Sequence, residues 1–250
     1  MKKFLKVVSI VLVIALVGVF AACGGDKTEE KTVLTMATNA EFPPYEYVEE
    51  GKIVGIDAEI AALIADKLGM ELQIVDVAFD SIIPGVQSGK YDMGMAGLTV
   101  NDERLEKVNF STSYAKGVQV VIIPENSDIK SLDDISGKKI GVQTSTTGDI
   151  YATGDFGEEA ITRYDNGAVA VQALVAGKVD CVIIDNEPAK SYVAANAGLK
   201  ILETEYAVED YAICFNKEDT ELQEKVDAAL KELIADGSVQ RVVDKYITAE

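Results

Sequence analysis

Two segments, VQSGKYDM at 86–93 and LVAGKVDC at 174–181, carry the same Gly-Lys-x-Asp tetrad at the same juncture, where a helical stretch ends and an apolar strand begins. A glycine there supplies the left-handed residue that closes a helix, and strand–helix–strand units in series imply an α/β fold with parallel sheet covered by helices. The chain uses one plan twice. Four matched positions alone are a weak signal, since Gly-Lys turns are common, and their weight is geometric. Ala96, Gly97, Leu98 and Thr99 follow the first strand and Ile184, Asp185 and Asn186 the second, so both groups lie at carboxyl ends of strands, the edge of open α/β sheets where ligands bind. Two such edges facing each other make a cleft.

Other segments fit the pattern. VLTMAT (33–38) is a strand; Asp57 is placed to cap a helix with Ile60, Leu63, Ile64 and Leu68 on its apolar face, closed by Gly69. LQIVDVA follows as a strand, Asp80 or Ser81 starts a short helix that runs to Ser88 and ends at Gly89, and YDMGMAG leaves as a strand.

The amino terminus decides where the protein works. Lys2, Lys3 and Lys6 precede an apolar run from Val7 to Phe20, and then come Ala21, Ala22 and Cys23, the order of an export signal. The run is shorter than the roughly 20 residues of a membrane-spanning helix. A Cys after two alanines resembles a bacterial lipobox, although Phe20 departs from the leucine more usual there, so Cys23 is expected to carry lipid, with plain secretion as the alternative. Residues 24–32 are a polar, Gly-rich tether.

Removal of residues 1–22 leaves 228 of the 250 residues and takes the net charge from −19 to −22. So acidic a surface argues against nucleic acid, whose binding depends on Lys and Arg against phosphate. No histidine is present, which removes His-based triads and His metal ligands, and three scattered cysteines make no zinc site. Cys181 and Cys214 sit in apolar strand-like runs, where a buried free thiol outweighs a disulfide.

Three stretches concentrate polar chemistry. In GMAGLTVNDER (94–104), Thr99 with Asp102 has the form of a capping box with Asp in place of Glu or Gln. Arg104 then falls in the first helical turn, where the macrodipole disfavours a cation by roughly 0.3–1 kcal/mol. It is compensated either by exposed pairing with Glu103 or Glu106 or by a bound carboxylate gripped by the guanidinium fork. In GVQTSTTGD (141–149) a strand breaks into small hydroxyl residues at a helix start, where backbone N–H groups attract anions; the same pattern is also an ordinary turn. Asp185, at the end of VDCVIID, is either a cap for the helix NEPAKSYVAA or a partner for a cation.

These pieces occur together and in order in the chain's resemblance to the extracytoplasmic substrate-binding proteins of polar amino acid ABC transporters. NAEFPPYEY (39–47), GKIVGIDAEIAALIADKLG (51–69), FDSIIPGVQSGKYDMGMAGLTVNDER (79–104), VNFSTSY, the GVQTSTTG loop, KVDCVIID and DGSVQRVVDKY carry it across nearly the whole mature chain. The resemblance implies a type II periplasmic-binding-protein fold: two α/β lobes, residues 33–116 with 210–250 and residues 117–209, joined by two crossing strands with the ligand between them. It implies that Arg104 grips the ligand α-carboxylate, helped by Thr99, Thr146 and Thr147, and that Asp185 and the Gly97 carbonyl hold the α-ammonium. Ala96 lies beside them in the binding set. Phe42 and Phe79 match an aromatic pair flanking the ligand side chain, and Asn39 and Gln143 match positions that vary with substrate. Phe42 alone fits core packing equally well. A small residue at 97 suits close approach of backbone to ligand.

Asn39 stands where many members place Asp, and Gln143 and Ile184 lack charge, so the expected ligand is a neutral polar or sulfur-containing amino acid; Glu41 and Glu46 lie near Phe42 in sequence but have no assigned place. The resemblance further implies permease subunits as partners, a lipid anchor at the outer face of the cell membrane or a periplasmic location, a monomer, no cofactor and no catalysis. Closure is expected by hinge motion near Tyr114–Val118 and Val208–Tyr211. Two other classes stay open: an enzyme on the same fold, for which no reactive carboxylate couple stands out, and a sensing domain, which would need a separate membrane partner.

Overall fold

The computed structural model describes residues 32–247. The expected signal segment, Cys23 and most of the tether lie outside the described residues.

The chain starts with β1 (Val33–Thr38), a small antiparallel sheet of β2 (Glu41–Phe42), β3 (Glu46–Glu49) and β4 (Lys52–Val54), and then α1 (Ile56–Leu68). Ile56, Ile60 and Ile64 of α1 are fully buried, each worth about 1.5–3 kcal/mol, and Gly69 closes the helix in the left-handed conformation at φ 68°. Asp57 is not the cap expected of it. Gly55 occupies that position, the helix begins two residues earlier than a cap at Asp57 would place it, and the Asp57 side chain is buried. β5 (Glu71–Asp76) and, after a 3₁₀ turn at Phe79–Ser81, α2 (Ile82–Gln87) and β6 (Met93–Gly94) follow. The strand expected over YDMGMAG is thus only two residues long, because Gly97 takes a positive φ of 51° and turns the chain out of the sheet. After α3 (Asp102–Lys107) and β7 (Asn109–Phe110), the long β8 (Ala115–Pro124) leads to β9 (Ile140–Gln143), α4 (Thr147–Phe156), β10 (Ile161–Tyr164), α5 (Gly167–Val175), β11 (Cys181–Asp185), α6 (Asn186–Ala195) and β12 (Leu199–Ile201). β13 (Ala207–Tyr211) returns to β14 (Cys214–Phe215), α7 (Thr220–Ala235) and α8 (Ser238–Tyr246), which pack on α1.

Two principal sheets result, one for each lobe. The first has the order β5-β1-β6-β14-β7, parallel over β5-β1-β6 and antiparallel where β14 joins; the second has the order β10-β9-β11-β8-β12, parallel over β10-β9-β11, with β13 also on β8. The antiparallel strands are those contributed by the crossing segments. β8 and β13 pair from Ala207↔Gln119 to Tyr211↔Ala115, so the two crossings between lobes form one ladder.

The repeated tetrad is a repeated device. Gly89 and Gly177 have φ 70° and 66°, and in each case the glycine and following lysine close the helix by paired backbone bonds: Gly89 to Val86 and Lys90 to Gly85, Gly177 to Leu174 and Lys178 to Ala173. Each aspartate then binds backbone of a neighbouring strand segment, Asp92 accepting from Thr35 N and Asp180 from Lys139 N, both at 2.7 Å. Cys181 and Cys214 are buried free thiols, both pushed up to about 12 by burial. Among the described residues no helix is long and apolar enough to cross a membrane.

Candidate functional site

The carboxyl ends of the two sheets face each other, and the eleven residues singled out above line one cavity between them: Asn39, Phe42, Phe79, Ala96, Gly97, Thr99 and Arg104 from the first lobe, Gln143, Thr146, Thr147 and Asp185 from the second. Glu46 is the twelfth. The enclosed space is about 20 Å³, the room of about one water, so an amino acid enters only if the walls part.

Arg104 is positioned by a cap other than the expected one. Asn101 caps α3, its Oδ1 accepting from Arg104 N at 2.8 Å, which leaves Thr99 and Asp102 out of the cap. Glu103 pairs with Lys107 at 2.7 Å and not with Arg104. The guanidinium is buried; its Nη1 donates to Thr99 O at 2.8 Å, its Nη2 to Ser145 O at 3.1 Å, and it lies 5.5 Å from the centre of the Phe79 ring. Both acceptors are neutral carbonyls. Burial lowers the Arg104 pKa, opposed first by Glu209, yet a guanidinium stays charged. Ser145 is aimed at it by a left-handed backbone, φ 64°, a conformation that costs a non-glycine residue about 1–3 kcal/mol. On the same loop Thr146 caps α4 by accepting from Asp149 N. The first-turn N–H groups of α4 have no intrahelical partner.

The opposing charge is Asp185. It precedes α6 but does not cap it with its side chain; it accepts instead from the hydroxyl of Tyr211 on the return strand. Burial, then Glu209, push its pKa up to about 8. Glu209 accepts from Gln119 Nε2 at 2.9 Å and from Thr147 Oγ1 at 3.1 Å, fastening the start of α4 to the hinge ladder. The sequence placed Glu209 and Tyr211 only within the expected hinge segment Val208–Tyr211 and gave Gln119 no role. A signal existed: in AVEDY the buried positions are Glu209 and Tyr211, two apart on one face of a strand.

Glu46 and Asp57 form a second acidic pair. Asp57 Oδ2 accepts from Gly97 N and Tyr114 OH, both at 2.9 Å, and its carboxyl lies beside that of Glu46, neither oxygen of which has a hydrogen-bond partner. Two carboxyls in contact hold one proton between them. Burial pushes Asp57 up to about 6 against these donors, and burial, then Asp57, push Glu46 well above the usual carboxylate range. The same bond to Asp57 fixes Gly97, whose positive φ, with the Phe42 ring 3.0 Å from where a Cβ would stand, is the reason for glycine there.

Asn39 and Gln143 meet each other: Gln143 Nε2 donates to Asn39 Oδ1 at 3.0 Å across the cleft, while Asn39 Nδ2 donates to Val77 O. Nearby, Tyr192 OH donates to Glu41 O at 2.8 Å and Asn166 Nδ2 to Glu41 Oε1 at 3.1 Å, which places Glu41 on the rim. Phe42 is 9% exposed, packs against Tyr45 and forms part of the cavity wall.

Residues 34–249 match the family described as bacterial extracellular solute-binding proteins, family 3. The chain is 32% identical to the arginine-binding extracellular protein ArtP of Bacillus subtilis over the whole of both chains. Its fold superposes with a TM-score of 0.82 on the arginine-, lysine-, histidine-binding protein ArtJ of Geobacillus stearothermophilus, at 35% identity and covering 87% of this chain and 96% of that one. An ancestral arginine-binding protein bound to glutamine gives a TM-score of 0.82 at 38% identity, covering 88% and 99%.

Proposed function

This chain belongs to the bacterial extracellular solute-binding proteins, family 3, and from that premise we propose that its cleft captures one α-amino acid and delivers it to the permease subunits of an ABC importer. The observation that carries this reading is a buried guanidinium with only neutral hydrogen-bond partners, Arg104, on the wall of one cavity with a buried carboxyl, Asp185. A zwitterion satisfies both at once, and burial makes each costly to leave unpaired.

In this reading Arg104, Thr99 and the first-turn N–H groups at Thr147 take the α-carboxylate, Thr146 shapes their loop, and Asp185 with the Gly97 carbonyl takes the α-ammonium. Phe42 and Phe79 flank the side chain above Ala96. The neutral ligand expected from Asn39 and Gln143 loses its main support, because those amides are spent on each other. Glu46, an acid on the cavity wall, favours a basic side chain, in line with the names of the relatives above. The lobes, residues 33–116 with 210–250 and residues 117–209, close about the β8–β13 ladder. Cys23 carries the lipid that holds the protein at the outer face of the membrane, and the protein acts as a monomer and a carrier, not an enzyme.

The test is thermal unfolding against each of the twenty amino acids, because a ligand at 1,000 times its Kd adds about 4 kcal/mol of stability. One or a few are expected to raise the midpoint by several degrees. No shift with any of them would reject the amino-acid reading and turn the search to organic acids and peptides.

A further inference from the structure

The Glu46–Asp57 pair takes no part in gripping the α-groups, yet it stands in the cavity wall. We infer that Glu46 is a specificity-determining residue that exchanges its proton for a cationic ligand side chain, so that a basic amino acid expels one proton more on binding than a neutral one does. This rests on the amino-acid reading above.

Glu46 opens β3, is 1% exposed, and neither of its carboxyl oxygens receives a hydrogen bond from any N–H or other O–H of the protein. Its partner is another acid. Asp57 Oδ2 accepts from Gly97 N and Tyr114 OH, which favours the charged form of Asp57 and leaves the proton of the pair on Glu46, whose oxygens have no donor to hold a negative charge. The groups acting on this acid from every neighbouring element are Asp57 of α1, Tyr114 ahead of β8, Tyr45 beside it, Asp185 at the end of β11 and Tyr192 of α6. All are acids or phenols; the cation on the same cavity wall, Arg104, donates to Thr99 O and Ser145 O. A buried carboxyl among acids keeps its proton until a positive charge takes the proton's place. Its pKa, held well above the usual range, agrees.

The exchange balances without any further reactant. The O–H bond of Glu46 breaks, its proton leaves to solvent, and the carboxylate pairs with the incoming ammonium or guanidinium, so the positive charge that enters the cavity is matched by the one that leaves with the proton. A neutral side chain brings no charge and leaves the proton where it was. Asp185 sheds its proton to solvent when the α-ammonium of any amino acid pairs with it, so the difference between ligands is the readout.

The deciding experiment is calorimetric titration of the protein with L-arginine, L-lysine and L-glutamine, in buffers of differing ionisation heat, at about pH 6 and about pH 8. The expected result is about one more proton released for arginine or lysine than for glutamine, and a basic-ligand affinity that rises with pH more steeply than glutamine's, by up to about tenfold per unit. Glu46→Gln keeps the shape of the side chain and removes the acid. It should erase the extra proton and cut arginine affinity at least about tenfold at about pH 8. Equal proton counts for arginine and glutamine, or binding of glutamine with none of arginine or lysine, would overturn the inference and leave the amino-acid reading standing. Absence of binding by every amino acid would overturn that reading and the inference with it. Should E46Q not fold, the proton counts on the unaltered protein decide alone.

Discussion

Arg104 Nη2 donates to the Ser145 carbonyl at 3.1 Å, tying the helix that follows the first sheet to the loop that follows the second. The group proposed to hold the ligand is therefore also a bolt between the lobes, and the cleft is shut by residues that a ligand would engage.

Arg104→Ala should remove amino-acid binding altogether, since truncating one member of a buried charge pair costs about 2–5 kcal/mol. Arg104→Lys keeps the charge but loses the fork, and should weaken binding by a large part of that amount. Thermal shifts with the best ligand measure both; an undiminished shift in R104A would remove Arg104 from the site.

The raised pKa of Asp185, about 8, fixes the sign of a pH effect. An ammonium pairs with the carboxylate, so binding lowers this pKa; affinity is full above about pH 8 and is lost as pH falls below it, by up to about tenfold per unit. Asp185→Asn should bind weakly and with a shallower pH profile. Dissociation constants for L-glutamine across this range are the check, and a flat profile in the unaltered protein would contradict the assignment.

Without ligand the same groups make stability run the other way. Asp57, Asp185 and Glu46 all have folded pKa values above their unfolded ones, so between about pH 4 and about pH 8 the folded state binds more protons and stability falls as pH rises. Denaturant midpoints of the ligand-free protein should decline over that interval, and saturating amino acid should reduce the decline. A midpoint that climbs with pH throughout would refute this.

Gly117 lies on the β8 crossing, where an added Cβ would stand 2.3 Å from the ring of Tyr211. Gly117→Ala should cost about 1–3 kcal/mol through overpacking, and it should weaken ligand binding too, because Tyr211 holds Asp185. Gly154, inside α4 with nothing within 4 Å of its added Cβ, is the control: Ala there should stabilise by up to about 1 kcal/mol. Urea titrations that give both variants the same midpoint would show that Tyr211 yields freely.

Closure itself is measurable. A cavity of about 20 Å³ cannot admit an amino acid, so the free protein must populate a form in which the Gln143–Asn39 and Tyr192–Glu41 bonds are broken. Small-angle scattering should show compaction at saturating ligand; an unchanged radius of gyration would rule out the hinge.

Much of this was written locally in the chain. The helix-closing glycines at 69, 89 and 177, the alternation of strand and helix, and the polar residues at the strand ends were legible because hydrophobic period and glycine conformation are properties of a few consecutive residues. The proposed ligand set of eleven residues was legible through its motifs, and the structure gathers all of it into one wall. Local grammar misled at Asp57 and at the Thr99 cap and left Asp185 open between a cap and a charge partner, because a cap and a buried acceptor look alike until the long-range partner is known. Those partners are Gly97 and Tyr114 for Asp57 and Tyr211 for Asp185, between 26 and 57 residues away.

By itself, then, the sequence determined the elements, their order and the kind of chemistry at their ends, because these follow from short-range sterics and solvation. Only the tertiary structure decided which charges meet. The placement of Glu46 against Asp57, of Glu209 behind Thr147 and of Asn39 against Gln143 depends on how two lobes close, and burial in that closed cleft, not residue type, sets which carboxyl keeps its proton.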